Sequence, residues 1–152
     1  MFNNFYLNAG LGYGDYSLTS FDNALLNSGV GNYNLVKVSS ILPSGCKQTE
    51  FINIVEGSPL HIAYATISSN IRNDLIAAAI AVGIPSDITK IGVIMEFAGH
   101  ESENYARKVV ESMVKEAMAK RKYEVNKILI SSCEISSSEG EYVTAFSGLA
   151  MW

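Results

Sequence analysis

Ser39 and Ser40 close a short β-type run, Tyr33 to Val38, and Pro43 follows three residues later. Alone, a serine pair reads as a solvated turn. At the end of a strand under backbone strain it has a second chemistry. The Ser40 hydroxyl can attack the Ser39 carbonyl, the chain then cuts itself, and the residue left at position 40 can be a ketone. No ordinary side chain supplies an electrophilic carbonyl, so such a chain would carry its own cofactor. Glu96 is the second residue of interest. Val93, Ile94 and Met95 precede it and Phe97 follows. A carboxyl desolvated in such a strand has a raised pKa and can act as a general acid; the alternative is an outward-facing strand glutamate. Asn34 carries an amide N–H five residues before Ser39, and otherwise reads as a strand-end or turn asparagine.

The elements around these residues follow from pattern. Residues 3–9 predict a first strand, and Gly10, Gly12 and Gly14 read as a glycine-rich turn that interrupts it. Their spacing resembles a phosphate loop but lacks the Lys-Ser/Thr of one. Ser20 predicts an N-cap for a short helix through about Asn27, ended by Gly29 and Gly31. Asp22 then lies in the first turn, where a carboxylate suits the helix dipole. Tyr33–Val38 predicts a strand. Residues 41–57 read as loop with one edge strand at Phe51–Val55. Leu60–Ser68 predicts a strand. Residues 74–84 are ambiguous: Ala77, Ala78 and Ala79 favour helix, while Ile76, Ile80, Val82 and Ile84 at even spacing favour strand. Lys90–Phe97 predicts a further strand. Glu101 to about Lys122 predicts one long helix with Tyr105, Val109, Val110, Met113, Ala117 and Met118 as its apolar stripe. Ile128–Ile135 and Tyr142–Leu149 predict the closing strands. The sum is six to eight strands and two helices.

The 152 residues suit one domain. They are 48% hydrophobic and 17% charged, more apolar material than a small domain can bury, so part of it is expected in a subunit interface. A net charge of −4 argues against nucleic-acid binding, which needs a basic footprint. It suits a cationic substrate. Cys46 and Cys133 form no metal-spacing motif and read as two inert thiols of a reducing cytosol. The longest apolar run, Leu75 to Ile84, is about half of what a membrane span needs. His61 reads as a satisfied strand histidine and His100 as an exposed one.

Three blocks carry a resemblance. The run from Ser20 to Pro43, with Asp22, Leu25, Gly31, Tyr33, Asn34, Ser39 and Ser40, resembles the pyruvoyl-dependent arginine decarboxylases. Gly92 to Gly99 looks like that family's strand bearing its catalytic glutamate. Ala145 to Trp152 resembles its small-and-apolar last strand. The resemblance covers nearly the whole chain from about residue 18, and is weakest in residues 1–17 and 44–58. It sides with strand for residues 74–84. It implies an α+β fold, a four-layer αββα sandwich with mostly antiparallel sheets. It also implies trimers, or multiples of them, with sites between neighbours.

For the chemistry, the resemblance implies serinolysis. Ser40 Oγ makes an ester with the Ser39 carbonyl, β-elimination leaves dehydroalanine, and loss of ammonia yields a pyruvoyl group. Residues 1–39 become the β chain and 40–152 the α chain. Asn34 would stabilise the oxyanion. The electrons left by decarboxylation need a sink, and a Schiff base to a ketone supplies one, as pyridoxal phosphate does elsewhere; neither the lysine nor the phosphate cup for that cofactor is legible, and no metal is implied. Glu96 would reprotonate the α-carbon. Asp22 matches the carboxylate that pairs with the substrate guanidinium, and Leu25, Gly31 and Tyr33 match the pocket lining. Tyr33 is bulkier than the small aliphatic expected there. The implied reaction is cytoplasmic conversion of L-arginine to agmatine and CO₂, a step of polyamine biosynthesis. Alternatives are the same chemistry on another amino acid, or a non-catalytic trimeric scaffold or regulatory subunit.

Overall fold

Gly10, Gly12 and Gly14 lie inside a strand rather than in a turn. The computed structural model covers residues 1–152, and its first strand, β1, runs Asn4–Gly14. Alternate residues of a strand share a face, so the three glycines form one smooth track. The following helix, α1 (Ser17–Asn27), lies on that track. A Cβ at Gly10 would sit 2.2 Å from the Ala24 carbonyl oxygen, and one at Gly12 would sit 2.0 Å from the Ser20 oxygen. The glycines are there for backbone-to-backbone approach. Gly12→Ala should therefore push the helix off the sheet and cost at least about 3 kcal/mol, the upper part of the overpacking range. The denaturation midpoint in urea measures this.

The helix begins earlier than Ser20. Tyr16 is the N-cap residue, with Thr19 Oγ1 accepting its N–H at 3.3 Å and donating to its carbonyl at 3.0 Å. Ser20 is fully buried inside the helix and its hydroxyl meets Thr144 Oγ1 at 2.6 Å. Asp22 is consequently a mid-helix residue, beyond the first turn. Gly29, at φ +83°, turns the chain out of the helix.

The other elements are β2 (Asn34–Lys37), β3 (Ile41–Leu42), β4 (Lys47–Gln48), β5 (Pro59–Ser69), β6 (Leu75–Pro85), β7 (Gly92–Gly99), α2 (Glu103–Lys120), β8 (Val125–Ser136) and β9 (Tyr142–Met151). Nine strands exceed the six to eight expected because β3 and β4 are two-residue pieces. The predicted strand at Phe51–Val55 is absent. Its alternation is real, since Ile52 and Ile54 pack inward while Phe51 and Val55 stay exposed. With β2 on the adjacent sheet edge, the segment docks through side chains and joins no ladder.

The strands form two sheets, ordered β2-β5-β9-β1-β4 and β3-β7-β6-β8. Only β1–β4 and β2–β5 are parallel; the other pairs are antiparallel. Phe5, Ala63, Ile80, Ile94 and Leu149 pack between the sheets. On the outer face of the first sheet, Ala24 and Leu25 of α1 pack against Leu60, Ile62 and Phe146. On the outer face of the second, Ala106, Val110, Val114 and Met118 of α2 pack against β6 and β7. The layers are α1, sheet, sheet, α2, as the resemblance implied. The buried stripe of α2 is rotated from the predicted one, leaving Tyr105 half exposed.

Strand β6 explains its own ambiguous sequence. Ala77, Ala79 and Ala81 face α2, while Ile76, Ala78, Ile80 and Val82 face the other sheet. A strand buried on both faces reads as a continuous apolar run, and the small side lets the helix come close.

Candidate active site

Ser39 and Ser40 span the gap between the sheets. The Val38 N–H donates to Ile62 O at 3.1 Å, the last bond to the first sheet, and the Ile94 N–H donates to Ser40 O at 2.8 Å, the first bond to the second. Between these anchors, neither serine N–H nor the Ser39 carbonyl has a backbone partner. The chain thus fixes the two ends of the Ser39–Ser40 unit and leaves its peptide bond unsupported by any ladder.

Glu96 lies beside this crossing. The β3–β7 register, Ile41 with Val93, places Ser40 opposite Ile94. Ile94 faces the inter-sheet core, and Glu96, two residues on, shares its face. Glu96 is half-buried. Burial pushes its carboxyl above the usual range, and the charge of Lys37 partly opposes the rise. Lys37 Nζ stands 4.5 Å from the centre of the Tyr64 ring. Sequence reasoning missed both Lys37 and Tyr64. Lys37 was readable as the charge two residues before Ser39; Tyr64 comes from a separate strand and gave no signal.

Above the crossing the two sheets have open edges. β2 pairs with β5 only as far as Ile62, and β3 reaches only Val93 on β7. The remainder of β5, from Tyr64 to Ser69, and of β7, from Met95 to Gly99, has no neighbour on that side. A window into the inter-sheet space results, with Glu96 on its β7 wall and Ser39–Ser40 as its sill.

Asp22, Leu25, Gly31, Tyr33 and Asn34 form a second group, on α1 and at the start of β2. Asp22 is exposed and has no salt bridge. Leu25 and Tyr33 pack in the α1 layer, and the Tyr33 hydroxyl donates to Ile54 O at 3.3 Å. A Cβ at Gly31 would fall 2.7 Å from Leu26 N, so glycine is needed there. Asn34 Nδ2 donates to Gly57 O at 2.6 Å. Five residues of extended chain put it roughly 16 Å from Ser39. Within one chain, Asn34 is not brought to the Ser39 carbonyl.

The histidines stand apart from both groups. His61 packs on Phe2, ring centres 4.8 Å apart, and His100 pairs with Asp74. Both cysteines are free, and burial pushes the Cys133 thiol up to about 11, far from a reactive thiolate.

Residues 4–152 match the family model described as pyruvoyl-dependent arginine decarboxylase. The chain belongs to this family. The pyruvoyl-dependent arginine decarboxylase of Methanocaldococcus jannaschii is 35% identical over 144 residues, covering 95% of this chain and 86% of the relative. The same-named protein of Thermococcus kodakarensis is 36% identical over 132 residues, covering 86% and 83%. That of Pyrococcus abyssi is 38% identical over 125 residues, covering 81% and 78%. The family's cofactor is a pyruvoyl group made from a serine of the chain, and Ser40 fits that origin. The Ser40 carbonyl lies in the amide with Ile41, on the far side of the residue from the Ser39–Ser40 bond, and is the one Ile94 holds. The decarboxylase fold thus anchors residue 40 by a bond that does not involve the Ser39–Ser40 peptide. No helix is long and apolar enough to cross a membrane.

Proposed function

We propose that this chain cleaves itself between Ser39 and Ser40 and then decarboxylates L-arginine to agmatine and CO₂. The observation that carries the reading is the sheet-to-sheet crossing, with an unpartnered Ser39 carbonyl beside a held Ser40 carbonyl and a half-buried glutamate on the next strand. Ser40 Oγ adds to the Ser39 carbonyl and the C–N bond breaks, giving an ester and a free amine at residue 40. Elimination releases Ser39 as a carboxylate and leaves dehydroalanine. Its imine tautomer takes up water and loses ammonia. The resulting pyruvoyl group supplies the electron sink for decarboxylation.

The protein's own residues do the rest. Glu96, whose partial burial favours the protonated carboxyl, delivers a proton to the substrate α-carbon after CO₂ leaves. Asp22 binds the guanidinium, and Leu25, Gly31 and Tyr33 shape the pocket around the side chain. The separation of Asn34 from Ser39 within one chain supports a site completed by a second copy, whose Asp22 and Asn34 approach the window of the first. Exposed Leu18, Leu26, Phe51 and Val55 supply apolar surface for such an assembly. A trimer is the state implied by the resemblance. A denaturing gel of the purified protein, read beside its mass in solution, tests this: two bands and a trimer, or a multiple of one, support it, whereas one band and a monomer exclude it.

Asp22→Asn should weaken arginine binding while sparing cleavage. Losing one charge of a desolvated guanidinium pair costs roughly 2–5 kcal/mol, read as a rise in the KM for arginine. An unchanged KM would reduce Asp22 to a helix-surface residue, and a gain toward neutral amino acids would strengthen the assignment.

The pH profile carries a signed prediction. If protonated Glu96 is the working acid, kcat falls as pH rises through its pKa. Lys37 holds that pKa down, so Lys37→Met should move the basic limb to higher pH and Lys37→Arg should leave it in place. A limb unmoved by Lys37→Met would show that Glu96 is not the titrating group.

A further inference from the structure

Opposite the serine crossing, the window has a second boundary that the chemistry above does not use. Ser69 ends β5, Asp74 precedes β6, and His100 follows β7. Ser69 Oγ donates to Asp74 Oδ2. His100 Nδ1 lies 2.9 Å and 3.0 Å from the two Asp74 oxygens. The Asp74 side chain is only 14% exposed, and the two hydrogen bonds hold its carboxyl below the usual range. The connecting loop is fixed from its other side by β8. Asn73, at φ +60°, donates its N–H to Ser137 O at 3.0 Å, and the Ser137 N–H donates to Asp74 O at 2.9 Å.

These bonds join the ends of two strands from different sheets. β5 and β7 flank the window, and no strand pairs their facing edges there. At the lower end they are linked through the Ser39–Ser40 crossing. At the upper end the side-chain link between them is Ser69–Asp74–His100. Cleavage at Ser39–Ser40 would cut the lower, main-chain link and leave the clasp as the hydrogen-bonded tie at the upper end, beside the apolar packing of Ala63 with Ile94.

We propose that Ser69, Asp74 and His100 are positioning residues. They set the separation of the two window edges and thereby the placement of Glu96 relative to residue 40 in the processed protein. This inference rests on the assignment of Glu96 and residue 40 to the chemistry. Asp74 is the centre of the clasp, and His100 is its exposed arm, whose loss exposes no core.

The test uses the cleaved, assembled protein, with kcat expressed per pyruvoyl group and KM measured alongside. His100→Ala and Asp74→Ala should each lower kcat by roughly tenfold to a hundredfold, the scale of a small misplacement of reacting groups, with KM for arginine unchanged. His100→Asn, whose amide N–H can take the place of Nδ1–H, should restore most of the loss. If Asp74→Ala fails to fold, the His100 pair of variants carries the test alone. Parent kcat in His100→Ala, a change in KM alone, or no rescue by His100→Asn overturns the inference. Glu96→Gln separates the two levels. A slow Glu96→Gln beside clasp variants at the parent rate removes only the clasp, whereas a Glu96→Gln at the parent rate removes the reading on which it rests.

Discussion

Ser40→Ala is expected to yield one intact chain with no decarboxylase activity. The substitution removes the only atom able to attack the Ser39 carbonyl from the following residue. It should leave the fold in place, because the bond that anchors residue 40 runs from the Ile94 N–H to its main-chain oxygen and alanine retains it. Circular dichroism and the mass in solution should therefore match the parent's uncleaved precursor. The loss is twofold in origin: no nucleophile for maturation, and no ketone for catalysis. Intact-mass measurement reads the first and CO₂ release reads the second. Scission at the same bond in Ser40→Ala would mean that another nucleophile attacks, and the serinolysis account would be wrong.

Glu96→Gln carries the next largest effect. Glutamine keeps the size and most of the hydrogen-bonding shape of a protonated glutamate, but it cannot release an acid proton. Once cleavage has been verified, kcat should fall by roughly 10²–10⁴, the usual share of a general acid. Arginine binding should change little, because the proton moves only after CO₂ has left; that split marks a transition-state role. A glutamate so near residue 40 could also assist maturation, so the rate must be counted per pyruvoyl group. A fully processed Glu96→Gln at the parent rate would take Glu96 out of the mechanism and make Tyr33 the next proton donor to test.

The layers of this fold were legible in the sequence where one element dictated its own environment. The spacing of Val110, Met113, Ala117 and Met118 marked α2, whereas for β6 the even spacing of Ile76, Ile80 and Val82 competed with the helix propensity of Ala77, Ala78 and Ala79 and only the resemblance decided for strand. Failures arose where a partner decides. Gly10, Gly12 and Gly14 look like a turn until Ser20 and Ala24 are known to press on them, because a glycine at every second position suits both a turn and a strand face beneath a helix. Ser20 looked like a cap because its burial against Thr144 lies 124 residues away in sequence. Phe51–Val55 alternated like a strand, but its inward residues Ile52 and Ile54 dock on the core beneath α1 and its backbone joins no ladder.

The candidate site divided in the same way. Glu96 beside Ser40 depends on the β3–β7 register, which no local pattern reveals; the resemblance named both residues, and the structure showed that one strand brings them together. The distance from Asn34 to Ser39 was within reach of sequence reasoning, since an extended run of five residues cannot fold back on itself. That length alone keeps the Asn34 amide away from the Ser39 carbonyl of its own chain. The Ser69–Asp74–His100 clasp had no local signature, because its three members end three different elements.

A ketone at residue 40 can be trapped, and the trap is read from the mass of the purified protein after incubation with arginine and a mild hydride reductant. Two chains that separate between Ser39 and Ser40 are expected, with a stable amine adduct derived from arginine or agmatine on the 40–152 chain, at residue 40. A single unmodified 152-residue chain that nevertheless releases CO₂ from arginine, or an adduct on any other residue, would contradict a ketone at residue 40.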